Sequence, residues 1–216
     1  MNLAASYEQW KSLMVLGEEI GFFKEFYVKF YQAFLENNRW LQYLEGVGTT
    51  LLTTALALCI GILLGVMVAM VRTAHDQQRP GNHNLLLGLV NIICKIYVTI
   101  IRGTPMMVQL LIMGLVIFKS SRNFTAVGAL TLGINSGAYV AEIIRGGLMS
   151  LDPGQAEAGR SLGLGYIDTM RFIVIPQAFK AILPALGNEF IILLKDTSLI
   201  TVIGGKELLH AAQGIY

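Results

Sequence analysis

The chain has 216 residues, 54% of them apolar without counting glycine and only 14% charged, against the roughly 25% charge usual in soluble domains. Disorder, which needs low hydrophobicity, is excluded, and so is a disulfide scaffold, because the only cysteines, Cys59 and Cys94, lie inside apolar segments. The net charge of +2 is spread among termini and loops and gives no reason to expect nucleic acid as a partner.

Residues 1–45 differ in kind from the rest, with six acids (Glu8, Glu18, Glu19, Glu25, Glu36, Glu45) against four bases (Lys11, Lys24, Lys29, Arg39). They lack the basic start and apolar core of a signal peptide. Phe23, Tyr27, Phe30 and Phe34 recur at helical spacing, with Phe22, Phe26 and Tyr31 beside them. This stripe predicts an amphipathic helix at the membrane interface, the alternative being the core-facing helix of a small soluble cap. The membrane domain is expected over 46–216. Gly46 to Val71 carries no ionisable group besides Cys59, and at ~1.5 Å per residue it can cross a ~30 Å hydrocarbon core as a helix.

A polar loop follows, with Arg72, His75, Arg79 and His83 around a Pro80-Gly81 turn. The apolar stretch Leu85 to Phe118 is too long for one straight span. It reads as a lead-in followed by a crossing from Val98 to Phe118, kinked at Gly103-Thr104-Pro105. Phe124 to Ile144 gives a third span and Ile182 to Ile203 a fourth, so the fold class is all-α, a polytopic transmembrane bundle of about four spans. The long loop 145–180 holds Arg145, Arg160, Arg171 and Lys180. Basic loops favour the cytoplasm, which puts this loop and the 72–84 loop inside and the N terminus outside; the two bases of the Lys119 to Asn123 loop count against that assignment.

No catalytic set is legible. The three histidines fall in loops or the tail, Ser136 lacks an embedded histidine to activate it, and Gly204-Gly205-Lys206 lacks the remaining parts of a nucleotide-binding loop. No metal or cofactor site is expected. The spans do contain ionisable and amide groups that are costly in lipid: Arg102, Glu142, Asn188, Glu189, Lys195 and Asp196. Such groups mark a polar path or fix helix packing, and for Glu142 both readings stand. Asn188 and Lys195 share one helix face, Glu189 and Asp196 the next. Gly61 and Gly65 form a G-x-x-x-G pair suited to close helix packing.

The 145–180 loop is longer than a connection needs. Ala156 to Leu162 predicts a short helix, Gly163-Leu164-Gly165 a turn, and Tyr166 to Ile175 a second helix stopped by Pro176. A short helix lying across the cytoplasmic face could fit a groove in a partner.

Glu157-Ala158-Gly159, three residues, Gly163, nine residues, Ile173, one residue, Ile175-Pro176 resembles the E-A-A-x3-G-x9-I-x-L-P loop of permease subunits in bacterial ATP-binding cassette (ABC) importers. Gly159 stands for the second alanine, a change expected to loosen the short helix, and Ile175 stands for leucine. IRGTPMMVQLL from Ile101, INSGAYVAEIIRGG from Ile134 and PALGNEFIILLKDTSLITVIG from Pro184 resemble the polar amino-acid uptake branch of these permeases. The resemblance covers about 45–216. It implies a type I importer bundle in the bacterial inner (plasma) membrane, paired with a second permease subunit, identical or paralogous. Each subunit would dock on a separate ATPase, and an extracellular or periplasmic binding protein would deliver a polar amino acid. Glu157, Ala158, Gly159 and Gly163 then belong to the ATPase-coupling loop, and Arg102, Asn188 and Glu189 lie near substrate; Glu142 and Lys195 complete the candidate path. The family usually has one more membrane helix after the position of Tyr216, so the bundle is expected to be one helix short. An ATP-independent channel, a membrane scaffold and an intramembrane enzyme using Ser136 are the rival readings.

Overall fold

Residues 3–78 and 84–214 are described by a computed structural model, and among them every regular element is helical. The Pro80-Gly81 turn, with Arg79 and His83, falls outside the described residues.

Helix α1 (Leu3–Val15) folds back on α2 (Phe22–Phe30) through Gly17 and Gly21, both at φ 78, where a side chain would be strained. Tyr7 stacks on Tyr31 at 4.2 Å and Trp10 meets Tyr27 edge-on at 5.5 Å. The Tyr7 hydroxyl and the Lys11 ammonium both donate to Glu36, at 2.9 and 2.6 Å. A π turn (Tyr31–Leu35) and a 3-10 turn (Glu36–Asn38) prolong α2. The chain then bends at Asn37 and Asn38, both left-handed with φ 53 and 56, a conformation asparagine tolerates better than most residues.

Helix α3 (Arg39–Asp76) has 38 residues and outruns the expected span at both ends, passing straight through position 45. Helix α4 (Leu85–Gly103) is one continuous helix whose first turn is capped by Asn84, which accepts from Leu86 and Leu87 N–H at 3.0 and 3.3 Å. The sequence reading is corrected here, because Leu85–Gly103 is itself long and apolar enough to cross a membrane. The break after it is more than a kink. Tyr97 lies at the level of Ile134 of the later helix α6 and Arg102 at that of Glu142. Past Pro105 the chain is back at Asn135 through Gln109, and at Val127 through Leu110. The returning piece is α5 (Met106–Leu111), extended by a π turn (Ile112–Ile117).

Helix α6 (Phe124–Met149), capped by Asn123, is the most enclosed element and packs along α3. Gly61 faces Ser136 and Gly65 faces Val140; a Cβ on Gly65 would stand 2.5 Å from Val140 Cγ1, so only glycine admits this separation. Helix α7 (Pro153–Ser161) follows. Then α8 (Tyr166–Thr169), a π turn (Met170–Val174) and α9 (Ile175–Asp196) run on into a 3-10 turn (Thr197–Ile203). Pro176 therefore does not stop the helix, as its sequence position suggested. The wider turn just before it opens the backbone ladder where proline offers no N–H and would collide with the carbonyl four residues back. Helix α10 (Leu208–Gln213) is capped by Glu207 and lies against Gly46 of α3.

Among the described residues four helical stretches are long and apolar enough to cross a membrane: Phe22–Asp76, Leu85–Gly103, Phe124–Met149 and Tyr166–Ile203. The core of Ala57, Leu110, Val127, Leu132, Leu193, Ile200 and Ile203 gathers α3, α5, α6 and the α9 end. The hydrogen bond from Tyr166 to Gln77 places α7 and α8 at the Asp76 end of the bundle. The contact of Gly46 with Leu208 puts α10 at the opposite end.

Candidate functional site

The α7 loop is built by local rules that its sequence states. Asp152 accepts the Gly154 N–H at 2.8 Å and Pro153 occupies the first helical turn, an arrangement that starts a helix with its orphan donors in use. At the other end Gly163 N–H bonds the Arg160 carbonyl at 2.9 Å and Leu164 N–H bonds the Gly159 carbonyl at 3.1 Å. This paired termination needs a left-handed residue between them, and Gly163 supplies it at φ 82. The glycine of the motif is thus the helix stop.

Gly159 does something other than loosen this helix. It is buried, and a Cβ there would come within 2.9 Å of both Thr169 and Ile173, so the bare backbone is what lets α7 lie tight on the stem that leads into α9. Glu157, Ala158, Arg160 and Leu162 remain exposed, Leu162 at 81%. Behind the loop lies a cavity of about 600 Å³ lined by Thr73, Gln77, Met149, Asp152, Arg160 and Tyr166. The Tyr166 hydroxyl donates to Gln77 across it at 2.7 Å, tying the loop to the end of α3.

The embedded polar residues separate into three settings. Glu142 accepts from Arg72 of α3 and lies 3.5 Å from Arg145 and 4.0 Å from Arg102 of α4, so one carboxylate joins three helices. Arg102 is the outermost of the three cations, 43% exposed against 13% for Arg72, and its guanidinium also sits over the Tyr139 ring at 5.2 Å. Glu189 is buried at 5%, beside Ser136 of α6, and no cation among the described residues pairs with it. Asn188 and Lys195 share an exposed face of α9. Asn188 thus stands on the opposite side of the burial boundary from its neighbour Glu189.

Two participants escaped sequence reading. Arg72 looked like a loop residue, yet α3 continues past it and presents it to Glu142. Gln109 donates to the Ile101 carbonyl at 2.8 Å and the Thr104 carbonyl at 3.1 Å, and accepts from Asn135 at 3.1 Å. It satisfies the acceptors that the Pro105 break leaves open. A glutamine shortly after a proline break inside an apolar run was the available signal. Among the described residues no three His, Cys, Asp or Glu side chains come together as a metal site requires.

The pattern of binding-protein-dependent transport system inner membrane components matches residues 61–215. The glutamine transport system permease protein of Escherichia coli (strain K12) is 37% identical over 177 residues, covering 80% of this chain and 75% of that protein. The arginine transport system permease protein of Bacillus subtilis (strain 168) is 37% identical over 174 residues, covering 78% and 74%. Among solved structures, an amino acid ABC transporter with histidines superposes with TM-score 0.69 at 41% identity, over 81% of this chain and 77% of that one. An inward-facing methionine ABC transporter shares the fold at TM-score 0.64 and 20% identity, over 80% and 78%.

Proposed function

The chain belongs to the family of binding-protein-dependent transport system inner membrane components and is the multi-pass permease subunit of an ABC importer; from that premise we propose that its cargo is a polar amino acid and that α7 is the helix through which a separate ATPase drives it. The observation that carries the coupling role is the geometry of α7. It is a short helix fixed at both ends by its own motif, packed on the α9 stem through Gly159 and presenting Glu157, Ala158 and Arg160 outward at the end of the bundle where α3 finishes. An exposed helix anchored in this way passes a push from a docked ATPase into α9 and, through Tyr166 and Gln77, into α3.

The α7 end faces the cytoplasm in this reading, since it gathers Arg145, Arg160, Arg171 and Lys180, and the N terminus lies outside. A binding protein delivers cargo to the outer end. A second permease subunit, identical or paralogous, covers the exposed face of α9, where Asn188 and Lys195 stand. Arg102, Asn188 and Lys195 form the polar side of the path, with Glu189 behind them against Ser136 of α6. Charged and amide groups there bind an α-carboxylate or α-ammonium differently in the two access states, which is the condition for cargo to bias them. Glu142, engaged with three arginines, serves as the clamp that holds α3, α4 and α6 together.

The test is ATP-dependent uptake of glutamine or arginine by proteoliposomes containing the partner ATPase, comparing the natural chain with Glu157→Arg. The variant is expected to lose uptake and substrate-stimulated ATP hydrolysis while retaining its fold. Uptake at the natural rate would overturn the coupling assignment.

A further inference from the structure

The family pattern starts at Gly61, leaving the α1–α2 hairpin and the beginning of α3 outside it. The hairpin sorts its aromatic residues by chemistry. Tyr7, Trp10, Tyr27 and Tyr31 turn into the seam between α1 and α2. The phenylalanines turn out: Phe23 is 85% exposed, and Phe22, Phe26, Phe30 and Phe34 share its side. Phe26 stacks on Phe30, Phe30 leans on Phe34, and Phe34 stacks on Tyr43 at 5.1 Å. The ridge therefore crosses the Asn37–Asn38 bend and joins the apolar outer face of α3, where Trp40, Leu41, Leu44, Leu51 and Leu52 are exposed.

A surface that is continuous with the lipid-facing side of a membrane-spanning helix has the bilayer as its neighbour. We infer that the α1–α2 hairpin is a lipid-binding brace. Its phenylalanine ridge is sunk in the boundary between headgroups and acyl chains, and its charged side stays in water. Three observations favour lipid over a docked protein: the ridge carries phenylalanine with no polar atoms to specify a partner, it runs unbroken onto α3, and its angle is set from within. The last point rests on Glu36, which holds Tyr7 and Lys11 of α1 while lying 3.5 Å from Arg39 of α3, so the bend is tied from both sides. From α1 to the bend, five acids (Glu8, Glu18, Glu19, Glu25, Glu36) outnumber three bases (Lys11, Lys24, Lys29), so the contact rests on buried apolar area and needs no anionic lipid.

The chain has two tryptophans, Trp10 and Trp40, which allows a depth measurement on the whole protein. With both replaced by phenylalanine, Phe26→Trp supplies a single reporter in phosphatidylcholine vesicles brominated at defined acyl positions. Quenching is expected to be strongest for bromines near the headgroup and to fall toward the chain ends. Phe22→Trp in the same background repeats the reading without disturbing the Phe26–Phe30 stack. Absence of quenching from every position would mean water or a protein covers the ridge, and strongest quenching at the chain ends would mean the hairpin crosses the bilayer; either result overturns the proposal. The readout is independent of transport, so its failure is distinct from failure of the coupling assignment.

Discussion

Two carboxylates embedded in the bundle, Glu142 and Glu189, live under opposite conditions. Glu142 is surrounded by Arg72, Arg102 and Arg145 from three helices, whereas Glu189, more deeply buried, has Ser136 beside it and no cation among the described residues. Burying a charge is costly, and a partner offsets that cost only with good geometry. The difference teaches that the two sites answer different demands. Glu142 is tied into the architecture, and its value lies in holding helices; Glu189 meets α6 beside the neutral Ser136, a weaker tie than an ion pair.

The largest expected effect breaks the first half of this contrast. Glu142→Gln leaves three guanidinium groups without their shared anion and should cost about 3 kcal/mol, the low end of the range for removing one partner of a buried pair, because the cluster is only partly buried. Thermal unfolding in detergent would register it, and an unchanged midpoint would remove Glu142 from its structural role. A smaller effect tests how the clamp is positioned. Gly65 lies two helical turns before Arg72, and its contact with Val140 sets the spacing that brings Arg72 to Glu142. Gly65→Val should destabilise by about 1–3 kcal/mol through overpacking. Combined with Glu142→Gln its cost should be non-additive, because both changes disturb one junction. Additive costs would separate helix spacing from the ion cluster. The smallest stability effect belongs to Glu189→Gln, which should change folding by less than about 1 kcal/mol, since no ion pair is broken. Its transport readout should move the other way. Loss of roughly tenfold in uptake, equivalent to about 1.4 kcal/mol, is expected if the carboxyl meets cargo in the transport cycle.

The parts of the fold governed by local rules were legible in the residues. The apolar run after Gly46, the glycine and proline break at 103–105, and the Gly163 stop of the loop helix follow from helix length, proline geometry and positive φ; the helix itself starts at Pro153, three residues before the predicted Ala156, because Asp152 caps it. Legibility failed where chain context overrides a local signal. Pro176 reads as a terminator, but a π turn upstream absorbs it. The Leu85 segment reads as a lead-in because the apolar run continues beyond it to Phe118, and the residues alone do not show where a helix within that run ends and the chain turns back. The candidate site was legible as a set of residue types and not as an arrangement. Spacing put Asn188 and Glu189 on neighbouring faces, but only packing decides that Glu189 turns inward and Asn188 outward. Spacing likewise gave no hint that Arg72 and Glu142, 70 positions apart, would meet.

The helix that Pro176 fails to stop has a mechanical consequence. From Tyr166 to Ile203 it runs for 38 residues, a rod of about 57 Å at 1.5 Å per residue. Its lower end bears the α7 loop through the Gly159 contact, and its shaft bears Asn188, Glu189 and Lys195. A tilt of about 5° about one end carries the other by about 5 Å, comparable to one helical turn. Pro176 and Pro184 both lie within the rod without ending the helix, so under the proposed coupling it would act as a crank. A small displacement at the protein surface becomes a displacement near its far end as large as the step between alternate packing registers.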